Sequence, residues 1–317
     1  MKRALLVGID EYDSFGSLSG CVNDVEAVDP LLERHEDDSP NFHTQRRTSS
    51  SDRITRDSLL ADLDTLLGGG ADVALLYYAG HGVNQENDVA FASQDGSQQT
   101  PGVSLSEVLG KVAASPVPEV IVLLDCCFAG GAGGIPQLGT DVSALRSGVS
   151  LLAASRADQP AAETAEQRGA FSTYLEGALE GGAADVLGKV TVAGIYAYLD
   201  ESFGPWDQRP VFKASVERLH ELRHCSPTVP LTELRRLTEF FPTADAEFPL
   251  DPSYEPTEDP RDPDHEAVFA VLQRCVAANL VEPVDADHMY FAAMQSKACR
   301  LTRLGKHYRH MAEQRRL

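Results

Sequence analysis

The sequence predicts an α/β fold with a mostly parallel sheet covered on both faces, and three observations lead there. Two stretches, Asp72-Val-Ala-Leu-Leu-Tyr-Tyr-Ala-Gly-His-Gly82 and Glu119-Val-Ile-Val-Leu-Leu-Asp-Cys-Cys-Phe-Ala-Gly-Gly131, are apolar without alternation, as strands buried on both faces are. Segments of helical periodicity separate such runs over residues 1–217, the pattern of βαβ units. Both runs end on reactive groups, at the carboxyl edge where open parallel sheets bind ligands.

Residues 3–9 read as the first strand. Residues 23–35 read as a helix with Val25, Val28, Leu31 and Leu32 on one face. A short strand at 43–48 precedes a helix at 57–67, whose leucines 59, 60, 63, 66 and 67 share a face before Gly68-Gly-Gly70 ends it. The histidine strand follows, then a short hairpin strand at 89–92. Ser104 and Glu107 form a capping box for a helix at 104–114, which Pro116 and Pro118 close. The thiol strand is expected to stop at Asp125. Residues 130–147 are rich in glycine and small side chains and read as a loop. A buried strand at 148–155, helices at 171–179 and 192–203, and a strand at 210–214 complete this part.

Beyond residue 217 the composition changes. Residues 218–264 read as an acidic, proline-rich connecting segment, with ten acidic residues against one basic between 239 and 266. Residues 265–317 read as a small α+β unit of helix, hairpin and helix (266–278, 281–293 and 302–314), winged-helix-like in order.

The net charge of -21 repels phosphate backbones, so nucleic acid is not expected as the main partner. Six cysteines without a CxxC pair suit reduced thiols in a cytoplasm better than a disulfide framework. The apolar run at the N-terminus is too short for a signal-peptide core, and none approaches the roughly 18 residues of a membrane span.

The chemistry lies in two motifs about 50 positions apart, with the histidine first. His81 stands between two glycines, which let a substrate backbone approach closely. Cys127 follows Asp125-Cys126. A thiol is nucleophilic as its thiolate, and an adjacent imidazole supplies the base. The plain alternative is that both cysteines are small buried apolar residues and His81 a strand-end histidine, but two such motifs closing two buried strands favour a nucleophile and its base.

On four stretches, Gly20-Cys-Val-Asn-Asp24, Tyr77-Tyr-Ala-Gly-His-Gly82, Leu124-Asp-Cys-Cys-Phe-Ala-Gly130 and Ala154-Ser-Arg-Ala-Asp-Gln159, the chain resembles the caspase-like cysteine peptidases, in particular metacaspases and bacterial caspase homologues. The resemblance covers about residues 1–216. It implies a three-layer caspase-like sandwich with a mostly parallel six-stranded sheet, and a cysteine endopeptidase with His81 and Cys127 as catalytic dyad and the N–H groups of Gly82 and Cys127 as oxyanion hole. Phe128-Ala129 stand where metacaspases commonly have His-Ser. The resemblance also implies that Asp24 and Asp125, with Cys21 and Asp158 beside them, select a basic residue, arginine before lysine, since a guanidinium can bond two carboxylates at once. The plain reading of Asp24 is a helix cap.

Arg146, in the small-residue loop, is a candidate for self-cleavage, because relatives are often cut in that region. No cofactor or metal is required on this reading, although calcium activates many metacaspases; the chain has no EF-hand-like loop. His220, His224 and Cys225 have helical spacing but lack further zinc ligands. The partners expected are a protein substrate with a basic residue at its cleavage site and a regulatory protein at residues 265–317. The seven Lys or Arg between 297 and 317 read as a charged helix face, with nucleic-acid sensing as the alternative. Bacterial relatives suggest stress or antiphage defence. A catalytically silent scaffold of the same fold is the competing function.

Overall fold

The computed structural model describes residues 1–86, 88–126, 145–154, 168–203, 210–216, 219–257 and 261–317, and the backbone of 127–129. The chain divides into two compact units, one of residues 1–184 and 189–225, the other of 185–188 and 226–317.

In the first unit, β1 (Lys2–Gly8), α1 (Cys21–Glu33), β2 (Phe42–Thr48), α2 (Arg56–Leu67) and β3 (Val73–Gln85) follow in order. β4 (Asp88–Ala92), β5 (Gly102–Ser104), α3 (Leu105–Ala114), β6 (Glu119–Ala129) and β7 (Val149–Ala153) come next. α4 (Ala170–Gly177), β8 (Lys189–Val190), α5 (Val192–Ser202), β9 (Val211–Ser215) and β10 (Arg223–His224) complete it. The central strands are ordered β2-β1-β3-β6-β7-β9. All neighbours are parallel except β7 and β9. The six-stranded, mostly parallel sheet is therefore the one expected, with β4 and β5 added on the far end of β3.

Helices cover both faces because side chains alternate along each strand. Leu76, Tyr78, Val122 and Leu124 point into one core with Leu59, Leu63, Leu66, Val108 and Val112 of α2 and α3. Leu75, Tyr77, Ile121 and Leu123 point into the other with Val25, Val28, Leu32, Leu175 and Ile195 of α1, α4 and α5. Ser104 and Glu107 form the anticipated capping box on α3, and Thr55 with Ser58 forms another on α2.

The thiol strand runs four residues past its expected end at Asp125. A carboxylate interrupts an apolar run in sequence, yet here it is hydrogen-bonded within the layer and the ladder continues. His220, His224 and Cys225 are not on a helix: Arg223–His224 is a strand paired with β8, the His220 ring contacts Glu119, and Cys225 is buried against Leu179 O at 3.5 Å.

The segment expected to be a connector, 218–264, packs differently. Among its residues Val229, Leu234, Leu237, Phe240, Phe241, Leu250 and Tyr254 are buried in the core of the second unit. Acidic and proline content described the outer side of this segment, while Leu234, Leu237 and Phe241 recur at helical spacing on its inner side. The boundary expected at 217 accordingly falls near 225. The second unit contains α6 (Leu231–Arg235), α7 (Leu237–Phe240), β11 (Glu247–Pro249), α8 (Pro263–Ala277), β12 (Val281–Val284), α9 (Met289–Met294), β13 (Ala298–Leu301) and α10 (Arg303–Glu313). Its antiparallel sheet is ordered β11-β13-β12. The hairpin expected at 281–293 is not formed. β12 pairs with 298–301, and 289–294 is a short helix started by the His288 side chain, with Met289, Ala292 and Ala293 buried on one face. Part of the basic stretch is paired with acids, Arg300 with Glu282 and Lys306 with Asp245, while buried Arg309 donates to the Phe241 and Pro242 carbonyls.

Candidate active site

The parallel register of β3 and β6 sets His81 beside Cys127 and Gly82 beside Phe128. Adjacent strands run about 4.8 Å apart, so these two backbones meet at the carboxyl edge of the sheet. The neighbouring Cys126 is 2 % exposed and belongs to the apolar core beneath α2 and α3. Alternation thus assigns that thiol to packing.

His81 is held by two tyrosines. Its N–H donates to the Tyr12 hydroxyl at 2.9 Å, and its carbonyl accepts from the Tyr78 hydroxyl at 3.1 Å. Gly80 is needed between them, since a Cβ there would lie 2.7 Å from both hydroxyl oxygens. The imidazole packs on the Tyr12 ring at 4.9 Å, and its Nε2 lies 2.7 Å from the Gly16 carbonyl. That contact protonates Nε2 and leaves Nδ1 as the acceptor.

Cys21, Asp24 and Asp125 cluster one layer away. α1 carries the first two and begins on Gly20, which has no capping side chain. Asp10 takes that role, accepting the N–H groups of Cys21 at 2.9 Å and Val22 at 3.3 Å. A carboxylate at a helix N-terminus meets both orphan donors and the positive end of the dipole. Asp24 is therefore not the cap. It is 2 % exposed, and its carboxylate accepts from Arg168 Nε at 2.9 Å and from the Gly169 N–H at 3.3 Å. Asp125, 8 % exposed, accepts from the N–H of Ser172 at 3.2 Å and from its hydroxyl. Ser172 is in turn 2.5 Å from the Tyr77 hydroxyl.

Burial and the charge of Asp125 push Asp24 up to about 7, against the pull of Arg168 and Gly169. Burial also raises Asp125, while the Ser172 bonds and Arg168 oppose it. The Cys21 thiol is pushed far up by burial and by Asp10, Asp125 and Asp24, so it stays protonated. The cluster is acidic, and Arg168 pairs with one of its two carboxylates.

The structure thus brings His81 and Cys127 together along one edge, and Cys21, Asp24 and Asp125 together in one cluster. Asp158 lies outside the described residues. Arg146 is not the free loop arginine expected. Its guanidinium donates to the carbonyls of Val112 at 2.8 Å, Val117 at 2.7 Å and Ser147 at 2.9 Å, tying it to the end of α3 and the turn before β6. Sequence reasoning missed Tyr12, Tyr78, Arg168 and Ser172. Tyr78 stood within a quoted motif; the others carry no local signal. Among the described residues, no group of three or more His, Cys, Asp or Glu is arranged to hold a metal ion, and no helix is long and apolar enough to cross a membrane.

Comparison with known proteins bears on the family and the fold. Metacaspase-3 of Trypanosoma cruzi is 28% identical over 46% of this chain and 45% of its own length. Metacaspase-1 of Schizosaccharomyces pombe is 27% identical over 43% of this chain and 35% of its own. The chain thus spans less than half of these relatives. A solved protein of Geobacter sulfurreducens, 17% identical, superposes with a TM-score of 0.52 over 68% of this chain and 94% of that one, a likeness of fold. The caspase domain profile matches residues 1–216, and the chain belongs to that family.

Proposed function

We propose that the first unit is a cysteine endopeptidase that cleaves proteins after a basic residue. The observation that carries this reading is the register that sets His81 beside Cys127. His81 would take the thiol proton, and the Cys127 thiolate would attack the scissile carbonyl carbon. The oxyanion so formed would be met by the N–H groups of Gly82 and Cys127. Collapse breaks the C–N bond, and the imidazolium gives its proton to the leaving amine, which departs and leaves a thioester. Water, deprotonated by His81, then attacks the thioester carbonyl and releases the acid and the thiolate.

Asp24 and Asp125 are assigned to the substrate's basic side chain, with Cys21, and with Asp158 by resemblance alone. Two carboxylates favour a guanidinium over an ammonium, because the planar fork can bond both. The bacterial and antiphage setting rests on the resemblance, the cytoplasmic setting on the cysteine usage, and the second unit, which lies beyond the resemblance, is assigned a regulatory protein partner. Fluorogenic peptides ending in Arg, Lys or Asp test the reading. Turnover of Arg before Lys, none of Asp, and loss in both His81→Ala and Cys127→Ala is expected. Preference for Asp, or full activity without Cys127, ends it.

A further inference from the structure

One of the two carboxylates assigned to the substrate, Asp24, already holds an arginine of this chain. Arg168 Nε lies 2.9 Å from Asp24 Oδ1, while its Nη1 donates to Glu176 on α4. The next residue closes over the other carboxylate. The Gly169 N–H reaches Asp24 Oδ2, and a Cβ on Gly169 would fall 2.3 Å from Asp125 Oδ2. An arginyl-glycine dipeptide therefore lies across both acids. The side chain of Arg168 is 15% exposed and that of Asp24 2%, so this is no surface ion pair. With Arg168 in place an incoming guanidinium cannot reach Asp24.

The way Arg168 is bound makes it displaceable. Its Nε goes to Asp24 and its Nη1 to Glu176, so Asp24 receives one N–H at Oδ1 where a two-pronged approach would give two. A substrate arginine entering with its full fork can make the stronger contact, and Glu176 can keep the displaced guanidinium nearby. The competitor is tethered, and a tethered group acts at an effective concentration on the order of millimolar. A peptide must outbid that concentration, which short peptides do poorly and longer ones do through contacts on either side of the arginine.

We propose that Arg168 is a specificity-determining residue of this site, an arginine held in cis on Asp24 that the basic side chain of a substrate must displace. The proposal deepens the basic-residue reading of Asp24 and Asp125 and rests on it. It makes the site selective twice, for a basic residue and for a substrate with enough flanking contacts to evict the resident one.

The test compares the full-length protein with Arg168→Ala, Arg168→Lys and Glu176→Gln on matched fluorogenic peptides bearing arginine or its neutral isostere citrulline. Arg168→Ala is expected to lower KM for the arginine peptide about tenfold, with kcat within about twofold and the citrulline peptide little changed. Arg168→Lys, a cation without the fork, should fall between, and Glu176→Gln should lower KM about threefold by removing the second anchor. An unchanged or raised KM in Arg168→Ala, or a fall in kcat on both peptides alike, makes Arg168 a structural tie and overturns the proposal. Should circular dichroism show Arg168→Ala unfolded, the KM values of the other two variants decide by the same criterion. Failure of the underlying reading looks different: no form of the protein, wild type included, would prefer arginine to citrulline.

Discussion

Removing the Ser172 hydroxyl tests how the buried acid Asp125 is tolerated. Ser172 is fully buried, donates to Asp125, and therefore must accept from Tyr77, whose hydroxyl is also sealed from water. Ser172→Ala deletes a hydrogen bond to a charged group, about 1.5–3 kcal/mol, and leaves the Tyr77 hydroxyl without its acceptor, about 1–3 kcal/mol more. About 4 kcal/mol is expected in all, a large share of the roughly 5–15 kcal/mol that a domain possesses. Tyr77→Phe added to Ser172→Ala removes the orphaned hydroxyl, so the double variant should recover about 1–2 kcal/mol. The loss also depends on pH. Asp125 is raised in the folded state, so its contribution to stability is present below the unfolded carboxylate range and lost as pH rises through the folded value. Deleting the Ser172 bonds raises it further, and the destabilisation must be larger at pH 8 than at pH 5. Urea denaturation followed by circular dichroism at both pH values measures this. A cost under about 1 kcal/mol at pH 8, or a double variant no more stable than Ser172→Ala, refutes the Tyr77–Ser172–Asp125 chain.

Three further outcomes follow from the same geometry. Asp24 is held up to about 7, so it gains its charge as pH rises through that region; KM for an arginine peptide relative to citrulline should fall over pH 6–8 in the wild type and stay flat in Asp24→Asn. Gly80→Ala places a Cβ against the Tyr12 and Tyr78 hydroxyls that clamp His81, which should cost about 1–3 kcal/mol in a thermal melt and lower kcat more than it raises KM. Asp10→Ala uncaps the helix that carries Cys21 and Asp24, at about 0.5–2 kcal/mol, and should raise KM for arginine peptides; Asp10→Asn, which keeps one of the two acceptor oxygens, should restore part of both.

The strands bearing His81 and Cys127 were legible because a strand buried on both faces leaves an unbroken apolar run, and few other structures do. The Asp24 motif was legible only through resemblance, since an acid near a helix start is ordinarily a cap, and in the structure the cap is Asp10 from another segment. Ser172 and Arg168 were invisible because their partners lie 47 and 144 residues away, with no periodicity to connect them. The same limit hid the second unit's true extent. Charge and proline content report the wet side of a segment, whereas Phe241 and Leu250 report the dry side only once their partners are known. The setting of Arg146 was hidden for a related reason: a basic residue in a glycine-rich stretch gives no sign of the carbonyls of Val112 and Val117 that bind it.

One short stretch supplies donors to both substrate-directed acids: Arg168 and Gly169 to Asp24, and Ser172 to Asp125. Two buried like charges in one cluster repel, and each would rather take a proton than stay ionised alone. Residues 168–172 oppose that in both at once, so they cannot move away from one acid without loosening the other. Replacing their donors by those of a substrate is therefore close to an exchange of one set of hydrogen bonds for another, and the net gain is small unless the newcomer brings a positive charge. An uncharged side chain would leave Asp24 buried and unpaired, so the acid would have to take up a proton, at no more than about 1.4 kcal/mol for each pH unit above its value of about 7. Discrimination against neutral residues then arises from the penalty of the emptied site rather than from attraction alone, and it should weaken below about pH 7, where Asp24 becomes neutral and the penalty disappears.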